Sequence, residues 1–144
     1  MLRGKLDSLQ AQIVRCQIEA PPSLADLLEE TLAYTHAILT AEVTGNHFPK
    51  TLLFGVPGQK LREQSHNPKK AFGVAHVFPS REMGATAAWM NSLRAQSREA
   101  ETAAVDAFYR DGEMERVDLI EALNRLSSAF YTLECRCIAG EFDK

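Results

Sequence analysis

The sequence predicts an all-α fold: an antiparallel bundle of four to five helices with one long crossover loop, filling residues 1–144 as a single domain. Three observations carry this expectation. Four segments repeat apolar residues at steps of three and four, the period of a helix with one buried face. Proline, glycine or a turn pair stops each of them. Between the second and third, from Asn46 to Pro79, the period is lost.

In the first segment Leu6, Leu9, Ile13 and Cys16 form one stripe, and Ala20-Pro21-Pro22 ends it. Ser23, with Asp26 three residues on, is the expected cap of a second helix over about 24–43. Its inward set is Leu24, Leu28, Leu32, Thr35 and Leu39 or near neighbours, and Thr44-Gly45-Asn46 stops it. The third helix is expected from Ser80, as cap, to Tyr109, with a turn at Asp111-Gly112. The fourth starts near Asp118 and ends before Gly140. Leu119, Leu123, Leu126, Phe130, Leu133 and Cys137 form its seam. The 46–79 stretch, broken by Pro49, Pro57, Pro68, Gly55, Gly58 and Gly73, is read as loop with one helical turn around 59–64. A connection this long in a compact domain is often functional.

Of the 144 residues, 45% are hydrophobic, enough for one core without disulfides or a structural metal. A net charge of −3 argues against a sequence-independent nucleic-acid binder. Met1 to Asp7 contains no apolar leader, and no apolar run nears the roughly 20 residues of a membrane span, so a soluble, cytoplasmic protein is expected. Cys16, Cys135 and Cys137 have no metal-site or disulfide spacing and are expected to be free thiols.

Chemistry concentrates on the last two helices. Asn91, Arg94, Arg98 and Glu101 fall on one face of the third. They form either a solvated stripe with an Arg98–Glu101 ion pair or an anion site, since guanidinium groups one turn apart can fork onto successive phosphates. Ala85, Ala87, Ala88, Ala95, Ala100, Ala103 and Ala104 flank them and permit close helix approach. On the fourth helix Asn124, Ser128, Tyr131 and Cys135 form a second, mostly polar stripe, and the Asn124 amide can both donate and accept.

These strings resemble a known family. Arg94-Ala95-Gln96-Ser97-Arg98-Glu99-Ala100-Glu101 resembles the arginine-rich helix of cobalamin adenosyltransferases. Ala122-Leu123-Asn124-Arg125-Leu126-Ser127-Ser128 resembles their C-terminal Leu-Asn-Arg-Leu-Ser-Asp motif. His76-Val77-Phe78-Pro79 stands where the family has an aromatic-aliphatic-Leu-Pro segment. Leu6-Asp7-Ser8 and Ser65-His66-Asn67-Pro68 add to a pattern closest to the ethanolamine-utilisation branch.

The resemblance implies transfer of the 5′-deoxyadenosyl group of ATP to the cobalt of cob(I)alamin, with release of triphosphate. It implies Mg²⁺ with the nucleotide, a homo-oligomer such as a trimer with sites between subunits, and a reductase or cobalamin-dependent enzyme as partner. Its place would be the cytoplasm, including association with a bacterial microcompartment. By the same resemblance Arg94 and Arg98 hold the polyphosphate and are the catalytic pair. Glu101, which fixes the second arginine, Asn124 and Lys5 complete the ATP site. His76, Phe78, Phe72 and His66 are the corrinoid residues, His66 alternatively capping the loop. Four apolar residues in seven, Phe72, Val74, Val77 and Phe78, add the expectation that this segment closes over the corrinoid and excludes its lower ligand.

The chain departs from the family pattern at several points. Nothing before Lys5 resembles the commoner branch's phosphate-cradling loop, Glu99 and Thr102 replace two arginines, and Ser128 replaces an aspartate. No counterpart is found of the branch's cysteine-rich metal-binding extension, and no protein-bound metal is expected. The alternatives are a non-catalytic corrinoid carrier of the same fold and a purely structural helical oligomer. A di-iron bundle is the weakest, resting on the single Glu63-x-x-His66 spacing.

Overall fold

The computed structural model describes residues 1–76 and 78–143; Val77, placed in the closing segment by the sequence reading, lies outside them. Among the described residues six α-helices run in chain order: α1 Leu2–Glu19, α2 Pro22–Thr44, α3 Gly58–His66, α4 Pro68–Phe72, α5 Ala85–Phe108 and α6 Val117–Ile138. A hairpin of β1 Tyr109–Arg110 and β2 Glu113–Met114 joins the last two. The all-α bundle expected from the sequence is present, with more helix in the crossover than the lost period suggested.

The four long helices form a ring in which α1 packs on α2 and α5, and α6 on α5 and α2. Neighbours run antiparallel. Arg3, at the start of α1, pairs with Glu42 at the end of α2 at 2.7 Å. The amide of Phe48, just past α2, donates to Asp118 at the start of α6 at 2.8 Å. The α1 stripe is wholly buried, as are Leu119, Leu123, Leu126, Phe130 and Leu133 of α6. In α2 the inward set drifts from the expected positions: Thr31, Tyr34 and Ile38 are buried, while Leu32 and Leu39 are half-buried. The Thr31 and Thr35 hydroxyls each donate to a carbonyl three residues back at 2.7 Å, so these buried groups are satisfied.

Two helix starts differ from expectation. The second helix begins at Pro22 rather than after Ser23, because proline fits the first helical position and needs no amide partner there. Ser80 precedes only a 3₁₀ turn, Arg81–Met83; Gly84, at φ 87°, breaks it from α5. At the other end Asp111 and Gly112, with φ of 52° and 81°, make a two-residue hairpin with two left-handed positions. In the crossover, Asn67 caps α4 by accepting from the Lys70 amide and Pro68 takes the first helical position. The three cysteines are free, and burial pushes their thiols up to about 11, 11 and 12 for Cys16, Cys135 and Cys137. No helix among the described residues is long and apolar enough to cross a membrane.

Arg116, at φ 50°, ties the exit of α2 to the start of α6. Its guanidinium donates to the carbonyls of Asn46 at 2.7 Å and Ala41 at 3.4 Å, and to both Asp118 oxygens at 3.2 Å. Burial pushes the Asp118 carboxyl up, but bonds from Arg116 and from the Phe48 and Leu119 amides outweigh it and hold the pKa below its ordinary value. Asp118→Ala is expected to lower stability by about 2 kcal/mol in chemical denaturation. The aspartate's contribution is present above its unfolded pKa and lost as pH falls through the lower folded value. The wild-type advantage over Asp118→Ala therefore shrinks in acid; an advantage that grows would show that the network does not stabilise the fold.

Candidate functional site

Because α5 and α6 pair antiparallel through their apolar seams, their polar stripes lie side by side along one groove. The crossover helix α3 packs on α6 and makes the opposite wall. The result is a cleft of about 400 Å³. Asn91, Arg94 and Arg98 line it from α5, and Asn124, Ser127, Ser128 and Tyr131 from α6. Arg62, Ser65 and His66 line it from α3, and His76 and Pro79 from the segment after α4. Three guanidinium groups face this cleft and no carboxylate does, in a chain whose net charge is −3. Such a cleft concentrates positive potential and favours an anion.

The side chains are held in specific ways. Arg94 donates through Nε and Nη2 to Asn91 Oδ1 at 3.1 and 2.9 Å. Behind it, Nε lies 3.9 Å from Oε1 of Glu134, a carboxylate on α6 that is 1% exposed. Burial pushes the Glu134 carboxyl up to about 7, against the pull of Arg94. The Arg98–Glu101 pair that the helix spacing allowed is not formed. Glu101 accepts instead from Asn124 Nδ2 at 3.3 Å, since the antiparallel α6 brings that amide against it. Asn124 Oδ1 accepts from Arg125 at 3.2 Å, so the amide is oriented from both ends. Arg98 is exposed and has no ion-pair partner among the described residues. Ser65 reaches Ser128 at 3.4 Å, joining α3 to the floor. Tyr131 and His76 share a 3.4 Å hydroxyl–Nδ1 contact, their rings 6.5 Å apart and near parallel.

The structure thus brings together Arg94, Arg98, Asn124, His66 and His76, with Glu101 one contact behind. It does not bring in Lys5, whose Nζ pairs with Glu99 at 3.1 Å on an exposed surface. Phe72 is half-buried and Phe78 is 84% exposed; neither lines the cleft. Of the seven flanking alanines, Ala87, Ala100, Ala103 and Ala104 are buried within the chain's own bundle. No group of three or more His, Cys, Asp or Glu among the described residues could hold a metal ion.

Two residues were missed by sequence reasoning. Arg62 precedes Ser65 and His66 by three and four positions, so a helix over 58–66 would have shown the shared face. Glu134 lies three residues past Tyr131, where a 3.6-residue period continues the polar stripe as well as Cys135 does; Cys135 is fully buried. Gly58 also matters: a Cβ there would stand 2.9 Å from Cδ of Arg125, so any larger residue would force the Arg125 side chain to shift where α3 starts against α6.

The cobalamin adenosyltransferase family model matches residues 1–137. The corrinoid adenosyltransferase EutT of Escherichia coli K12 is 33% identical over 132 residues, covering 91% of this chain and 49% of that protein. That of Salmonella typhimurium LT2 is 32% identical over 138 residues, covering 95% and 52%. The chain therefore spans about half the length of the curated relatives it matches. No solved structure matches it significantly. With a match that starts at the first residue, takes in every element that builds the cleft and runs into the last turn of α6, the chain belongs to the cobalamin adenosyltransferase family.

Proposed function

We propose that this chain is an ATP:corrinoid adenosyltransferase whose nucleotide binds in the α3–α5–α6 cleft. The observation that carries this reading is the lining of three guanidiniums and no carboxylate, built on the helices that the family model covers. In the reaction, the cobalt of cob(I)alamin attacks C5′ of ATP and gives two electrons to the new Co–C bond. The C5′–O bond breaks and its electron pair leaves with triphosphate. No side chain need move a proton, since the nucleophile is the reduced corrinoid itself.

What the chain supplies is placement and charge. Arg94 and Arg98, one turn apart, suit successive phosphates of the leaving group, and Arg62 faces them from α3. Asn124, held by Glu101 and Arg125, offers the nucleoside a preset amide. Mg²⁺ would travel on the phosphates with water as its other ligands, as it commonly does. Lys5, outside this cleft, fits an arrangement in which subunits of a homo-oligomer, a trimer in this family reading, share sites. Arg98→Ala is expected to slow formation of adenosylcobalamin from ATP and cob(I)alamin by about 10²–10³-fold with the fold intact. Unimpaired turnover would remove Arg98 from the site, and a wild type unable to bind ATP would favour the corrinoid carrier instead.

The corrinoid, in this reading, enters beside His76 and Tyr131. The exposed ring of Phe78 and the half-buried Phe72 flank that entrance in sequence and suit a flat, largely apolar partner. His76 already rests on Tyr131 at the cleft edge, where it could exclude water and the corrinoid's lower ligand. Cob(II)alamin bound with ATP should then show the electron-spin signal of four-coordinate cobalt. His76→Ala should reduce that fraction while ATP affinity stays within about twofold, being set by the arginines. Loss of ATP binding in the variant would place His76 in the nucleotide site instead.

A further inference from the structure

The cleft-facing stripe of α6, from Asn124 through Ser128 and Tyr131, continues one step deeper to Glu134. That carboxyl is 1% exposed, and its Oε1 has no hydrogen-bond partner. Arg94 is the nearest cation, but Nε stands 3.9 Å away and gives its hydrogen bond to Asn91. A carboxylate with one oxygen lacking a hydrogen bond among the described residues, and only a long ion pair to Arg94, is thus buried directly behind one of the two arginines assigned to the polyphosphate. A buried, ionised carboxylate held only by so long an ion pair is costly, and an anion docking on Arg94 would compete for the same guanidinium.

We propose that Glu134 is a positioning residue that shares Arg94 with the bound polyphosphate and takes up a proton from solvent when the anion arrives. Ionised, it draws Arg94 back against α6; protonated, it leaves the whole guanidinium charge to the phosphate. Two anions on one arginine repel, so binding the second favours neutralising the first. Burial has already brought this carboxyl to about 7, where a modest push suffices. Of the charged groups on the elements packed against α6, Arg62 and His66 on α3, Lys69 and Lys70 on α4, Asp26, Glu29 and Glu30 on α2 and Arg98 and Glu99 on α5 are exposed, while Glu101 on α5 is half-buried against Asn124 and Glu42 lies half-buried at the far end of α2, paired with Arg3. On Glu134 itself only the charge of Arg94 registers; the neighbouring Cys135 and Cys137 thiols are neutral in this range.

The inference rests on the polyphosphate reading of the cleft, and the test separates the two. Inorganic tripolyphosphate and ATP are titrated calorimetrically into wild type and Glu134→Gln at one pH above about 7, in buffers of unlike ionisation enthalpy. The ligand's own protons cancel in the difference. Wild type is expected to take up a measurable fraction of a proton more than the variant. Its affinity should fall by up to about tenfold per pH unit above that value, while the variant stays comparatively flat. Equal proton uptake in the two proteins overturns the proposal. Carbon-detected titration of the Glu134 carboxyl, without ligand, gives a second reading. The midpoint should lie well above the ordinary carboxylate range and rise further in Arg94→Gln; an ordinary midpoint, or one unmoved by that change, overturns the proposal. If neither ligand binds wild type, the polyphosphate reading falls, and the carboxyl titration alone decides whether Glu134 and Arg94 are coupled.

Discussion

Two long helices, α5 and α6, lie antiparallel along most of their length, and this contact is the most extensive in the molecule. Met90, Leu93, Ala100 and Ala104 face Leu119, Leu123, Leu126 and Phe130 in the same core, and the small residues let the helix axes come close. That closeness sets the register of everything polar beside it. It places Asn124 on Glu101 and Glu134 behind Arg94, partners that follow in opposite order along the two helices, as antiparallel packing requires. Hydrophobic packing therefore decides which carboxylate each polar group meets, and so which arginine is left facing outward.

The crossover turns this groove into a cleft. Leaving α2 at Gly45, the chain is anchored by the Arg116–Asp118 network and then laid along α6 as α3. Gly58 permits the approach, and Arg125, pressed beneath it, orients Asn124 from the other side. One arginine thus links the packing of α3 to the amide at the floor of the site. The balance of charge follows: the carboxylates of Glu101 and Glu134 lie behind the cleft surface, while Arg62, Arg94 and Arg98 line it. A preorganised cationic surface stabilises a leaving triphosphate without having to reorganise as charge develops.

Much of this was legible because helices write their period into the sequence. The stripes of α1 and α6, the proline stop after α1 and the Asp111-Gly112 turn are local signals, and the structure keeps them. The start of α5 was misplaced because Ser80 also suits a 3₁₀ turn, and the φ of Gly84 is set by the fold around it. The helices α3 and α4 left no apolar period because each is short and buries little: Leu61 in one, Pro68 in the other. Spacing along α5 showed that Arg98 and Glu101 could meet, but not that α6 would bring a better-placed partner to Glu101. Arg62 escaped because the short helix that carries it left no apolar period, and Glu134 because the stripe's spacing fits Cys135 equally well and only the packing of α5 on α6 sets it behind Arg94.

The most direct test of the account is the absorption spectrum of an anaerobic mixture of this 144-residue chain, ATP, Mg²⁺ and chemically reduced cobalamin. The account predicts that the cob(I)alamin bands give way to those of adenosylcobalamin, with one triphosphate released for each Co–C bond formed. A cob(I)alamin spectrum that persists while ATP is demonstrably bound would contradict it.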